Sequence, residues 1–81
     1  MRRGSTIAED EALATRIKIA LREDRETGGL PIDVHASDGT VTLLGRVDTP
    51  EQRAAAEALA RRTLPVKQVI NQLIVNQPEG S

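Results

Sequence analysis

The sequence predicts a small α+β domain of order α-β-β-α-β, with two helices packed on one face of a three-stranded mixed sheet. Three observations predict it. Apolar residues recur at three- and four-residue steps over roughly 7–23 and again over 52–63, the period of a helix buried along one side. They alternate with polar residues over 32–36, 41–47 and 66–75, the period of a strand. Between the first two alternating runs stands Asp38-Gly39, a pair suited to the positive φ of a tight hairpin turn.

The first helix is expected over roughly 7–23. Thr6 followed by Glu9 reads as a capping box, and Glu9, Asp10 and Glu11 suit the positive end of the helix dipole. Leu13, Ile17, Ala20 and Leu21, extended by Ile7, make the apolar stripe, with Arg16, Lys18, Arg22 and Glu23 away from it. Ile19, two residues from Ile17, belongs on the far side. Thr27-Gly28-Gly29 is expected to end the helix and open a loop.

The hairpin follows. Its inward set is Ile32, Val34 and Ala36, then Val41, Leu43, Gly45 and Val47. A glycine in that row leaves room for a close neighbour, expected to be a helix. Thr49, Pro50 and Gln52 then read as cap, first-turn proline and third-position partner of a second helix. Its inner face carries Gln52, Ala56, Leu59, Ala60 and Thr63, with a Glu57–Arg61 pair on the exposed side. Leu64-Pro65 is expected to end that helix, because proline disfavours the α region for the residue before it. In the last strand Val69, Asn71, Leu73 and Val75 share one phase, and Ile70, Gln72 and Ile74 the other. The connection is long enough for a crossover, which predicts that the third strand runs parallel to the second.

Composition narrows the function classes. Ile, Leu and Val supply 20 of 81 residues, enough for a thin core but for only one domain. The chain has no Cys, Phe, Trp or Tyr, which removes thiol chemistry, thiolate metal sites and base-stacking platforms. The net charge of −1 lacks the basic excess that nucleic-acid backbones require. No apolar run approaches the roughly 20 residues that span a bilayer, so the chain is not expected to be transmembrane. Met1-Arg2-Arg3 is followed directly by Gly4-Ser5 and acids, which is no secretory signal. The chain is therefore expected to be cytoplasmic as it stands, or a piece of a periplasmic or envelope protein. Residues 1–5 and 76–81 read as disordered tails around a domain over 6–75.

The run Asp38-Gly39-Thr40-Val41-Thr42-Leu43-Leu44-Gly45-Arg46-Val47-Asp48-Thr49-Pro50-Glu51 resembles the signature of the BON domain, the bacterial OsmY and nodulation family. Val66-Lys67-Gln68-Val69-Ile70-Asn71-Gln72-Leu73-Ile74-Val75 is similar to the family's closing segment, and Ile17-Lys18 before Ala20-Leu21 to its first helix. The resemblance covers roughly 10–75, with Pro65 where the family often has glycine. It implies a non-catalytic module that needs no cofactor. It also implies attachment to anionic phospholipid surfaces or envelope protein partners, as in osmotic-stress proteins. An oligomerising or cation-sensing accessory domain is the alternative, since a cytoplasmic relative joined to a LysM module binds potassium.

Two surfaces are candidates for such attachment. Arg16, Lys18, Ile19 and Arg22 on the first helix, or Arg53, Arg61, Arg62 and Lys67 around the second, are placed to meet lipid headgroups. Leu44, Ile70 and Ile74, with Thr42 and Arg46, point to the sheet face without helices, a surface for a protein partner or a homodimer. Asp33, Asp38 and Asp48 are too scattered for a calcium loop. His35 reads as a solvent-facing strand residue and Asn71 as a side chain bonded to backbone.

Overall fold

The computed structural model of the chain describes residues 5–63 and 66–76. Its elements are α1 (Ser5–Glu23), β1 (Ile32–Ser37), β2 (Thr40–Val47), α2 (Pro50–Arg62) and β3 (Gln68–Val75), the α-β-β-α-β order that the periodicities predict. The three strands form one mixed sheet of order β1-β2-β3, antiparallel at β1–β2 and parallel at β2–β3. Asp38 and Gly39 both carry positive φ, 55° and 86°, the geometry of a two-residue turn that matches strand twist. That turn fixes the register: Ser37 faces Thr40 and Ile32 faces Gly45.

The inward phase is the predicted one. Val34 on β1, Val41, Leu43 and Val47 on β2, and Leu73 on β3 are buried with Leu13, Ile17 and Leu21 of α1 and Ala56 and Ala60 of α2. Two completely buried alanines let α2 lie close to β2 and β3, while α1 lies almost wholly over β1. The outer edge of β3 is occupied by side chains of α2 described below. The start of α2 has the full capping box: Gln52 N–H donates to Thr49 Oγ1, and Gln52 Oε1 accepts from the Thr49 amide.

Several local expectations are corrected. Helix α1 reaches back to Ser5, so Glu9, Asp10 and Glu11 fall beyond its first turn. Asp10 instead accepts the amide of Asp38 at 3.0 Å, tying α1 to the hairpin tip. At its other end α1 stops at Glu23, the expected bound, and the loop opens ahead of Thr27-Gly28-Gly29. Buried Thr27 returns to donate its hydroxyl to the Leu21 carbonyl at 2.6 Å, a second and shorter bond beside that from the Asp24 amide at 3.3 Å. The close neighbour of Gly45 is backbone of the adjoining strand, not a helix. A Cβ there would stand 2.2 Å from the Pro31 carbonyl oxygen, at a φ of +130°. Strand β3 begins at Gln68 rather than Val66. The side chains of Thr6 and Ile7 and the Leu64-Pro65 stop lie outside the described residues, as do residues 1–4 and 77–81 of the two tails.

Candidate functional site

Helix α1 has two unlike sides. Leu13, Ile17 and Leu21 follow the buried stripe, and a residue two positions from Ile17 is turned about 200° away from it. Ile19 is accordingly 48% exposed. Arg16, Lys18 and Arg22 are exposed on either side of it, with Glu11 and Glu23 on the same solvent side. Lys18 Nζ stands 3.9 Å from Asp33 Oδ1 of β1, a long pair between two well-exposed side chains. Such pairs contribute little and exchange readily with solvent.

The second basic group is differently placed. Arg61 is bound by Glu57 through Nε at 3.0 Å and Nη2 at 2.8 Å, so its charge is already matched. Arg62 is exposed at the last turn of α2. The Lys67 amide donates to the Gly39 carbonyl at 2.8 Å and its aliphatic stem lies over that glycine. These three stand toward the hairpin-tip end of the sheet, whereas Arg22 stands at the opposite end, beside Pro31. The candidate headgroup residues thus fall into two sets, not one continuous patch.

Arg53 belongs to neither. Its Nε and Nη2 donate to the Leu73 and Asn71 carbonyls of the edge strand, each at 2.9 Å. Asn71 answers with its amide to the Arg53 carbonyl and Glu57 Oε1, both at 3.1 Å, while its Oδ1 accepts from the Leu73 amide. The expectation that Asn71 bonds backbone is met, and Glu57 proves to face β3 rather than solvent alone. The Asn71 amide, and after it the Arg61 guanidinium, hold the Glu57 carboxyl below its ordinary range. This cluster seals an edge. An arginine four residues before a glutamate, opposite a lone asparagine in an apolar phase, was the signal for it.

The sheet face away from the helices is bare. Register sets His35, Thr42 and Ile70 across one row and Asp33, Leu44 and Gln72 across another, with Arg46 beside Ile74. Ile70 and Ile74 are 37% and 56% exposed, Leu44 is half-buried, and Arg46 and His35 are exposed. Among the described residues no cluster of three or more His, Asp or Glu could hold a metal ion. Among them, too, no helix is long and apolar enough to cross a membrane.

Comparison with known proteins agrees with this architecture. The family model described as BON domain matches residues 9–77. A protein of Anaplasma centrale, described as an uncharacterized protein in the gshII 5′ region, is 42% identical over 48 residues. The aligned stretch is 59% of this chain and 32% of that relative, so the chain spans well under two thirds of its length.

Proposed function

The chain belongs to the BON domain family, whose domains are generally non-catalytic modules, and on that premise we propose that it acts without catalysis as an attachment module. Its target is an anionic phospholipid surface, met by the outer side of α1. The observation that carries this reading is Ile19, a large aliphatic side chain 48% exposed among Arg16, Lys18 and Arg22. Each cation near an anionic leaflet contributes on the order of 1 kcal/mol, and an inserted apolar side chain adds to it. Glu11 and Glu23 on the same side reduce that field, so the attachment is weak and sensitive to salt. Arg62 and Lys67 form a second, smaller contact at the far end. Flotation with phosphatidylcholine vesicles, with and without phosphatidylglycerol, tests the reading at low and moderate salt. Binding is expected only with the anionic lipid, decreasing as salt rises and on Arg22→Glu. Absence of binding at low salt overturns it.

A second reading is favoured by the bare sheet face: Leu44, Arg46, Ile70 and Ile74 dock an envelope protein partner, a neighbouring domain or a second copy. Three strands about 4.8 Å apart and six to eight residues long offer only some hundreds of Å². A stable complex ordinarily buries about 800 Å² on each partner. A homodimer resting on this face alone is therefore expected to be weak. Sedimentation across a concentration range, with Ile74→Glu as the disrupting variant, tests it; a monomer at all concentrations removes the homodimer.

A further inference from the structure

We infer that the groove beside the C-terminal end of α1 seats the chain of one anionic amphiphile, with its charged end between Lys18 and Arg22. The groove has a volume of about 560 Å³ and is bounded by the last turns of α1, the loop after them, the start of β1 and residues 44–45 of β2. That volume falls within the range that ordinarily holds one small-molecule ligand. Leu30, Ile32 and Leu44 supply apolar surface along it above buried Leu21, and Gly28 and Gly45 bring bare backbone to its wall.

Charge selects the ligand. Two cations and one acid, Asp33, line the groove. The Lys18–Asp33 pair is long at 3.9 Å, with both side chains at least half exposed. An anionic headgroup replaces Asp33 as the partner of Lys18 and engages Arg22 as well, with short charge-assisted hydrogen bonds. The inference rests on the phospholipid reading for the class of ligand and goes beyond it in kind. Adsorption to a charged surface needs no groove and has no fixed stoichiometry, whereas this seat saturates at one chain per domain.

The test is a titration of the full chain with dodecyl phosphate below its micelle concentration, with inorganic phosphate in parallel, followed by amide chemical shifts. Saturation at one ligand per chain is expected, with shifts centred on Leu21, Leu30, Ile32 and Leu44. Inorganic phosphate should bind at least ~10-fold more weakly, since it lacks the apolar contribution. Arg22→Glu should weaken dodecyl phosphate at least ~10-fold, and Asp33→Asn should tighten it, because the competing acid is gone. A merely structural role for Asp33 would not produce tighter binding. Equal responses to the two phosphates, or unsaturable shifts confined to the Arg16 and Ile19 side, overturn the inference. So do shifts at the groove that follow protein concentration, which would make a second copy its occupant. Dodecyl phosphate binding without vesicle flotation removes the membrane reading and leaves the groove; flotation without saturable dodecyl phosphate binding does the reverse.

Discussion

Arg53 and Asn71 hold each other reciprocally across the α2–β3 boundary. The guanidinium donates to the asparagine carbonyl at 2.9 Å, and the asparagine amide donates back to the arginine carbonyl at 3.1 Å. With Glu57 and Leu73 they satisfy strand groups that would otherwise face outward on an open edge. Asn71→Ala removes the donor and acceptor together. We expect a loss of about 1–3 kcal/mol, read from the denaturant midpoint at unchanged m. A change below about 0.5 kcal/mol would mean the network adds nothing.

Stability should also depend on Glu57. Its carboxyl is held below the ordinary range in the folded chain. The folded state therefore binds this proton less readily than the unfolded state does. The resulting stabilisation is complete at neutral pH and fades as pH falls below about 4.3 and through the lower folded value. Glu57→Gln should be less stable than the parent at neutral pH and fall less steeply below about pH 4.5. Denaturant unfolding at a series of pH values distinguishes the two slopes; parallel curves would refute the assignment.

The glycines separate into unlike positions. At Gly45 a methyl group would meet the Pro31 carbonyl at 2.2 Å and φ is +130°, whereas at Gly29 nothing lies within 4 Å and φ is outside that region. Gly45→Ala is expected to cost roughly 3 kcal/mol or more. Gly29→Ala should be neutral or stabilise by up to about 1 kcal/mol, through the unfolded chain. Equal effects on thermal midpoints would contradict the close approach.

Thr27 offers a conservative pair of substitutions. Its hydroxyl is buried and 2.6 Å from the Leu21 carbonyl. Thr27→Val keeps the shape but removes the shorter of two hydrogen bonds to that carbonyl, leaving it the Asp24 amide at 3.3 Å, at about 1 kcal/mol, while Thr27→Ser keeps the bond and leaves a methyl-sized gap. If Val is tolerated better than Ser at equilibrium unfolding, packing rather than capping is what Thr27 supplies.

The elements and their phases were legible because each rests on local chemistry. The Asp38-Gly39 turn sets the hairpin, Thr49 and Gln52 set the start of α2, and alternation sets which strand residues face inward. What escaped is tertiary. The place of Asp10 follows from the hairpin tip 28 residues on, not from its own helix. Gly45 answers to the backbone of Pro31, which no periodicity reveals. Arg53 has the charge of a headgroup ligand, and only the proximity of β3 commits it elsewhere. The outer positions of Ile19, Ile70 and Ile74 were readable because period alone decides them. The groove was not, since it arises where a helix end, a loop and two strands converge.

The Asp10–Asp38 bond gives the molecule a built-in reporter. The Asp38 amide, at the tip of an exposed turn, would exchange quickly with solvent if the hairpin formed alone. Its acceptor belongs to the first helix, so its protection requires that helix to be seated. Deuterium uptake at this one amide therefore measures docking of α1, separately from closure of the turn itself.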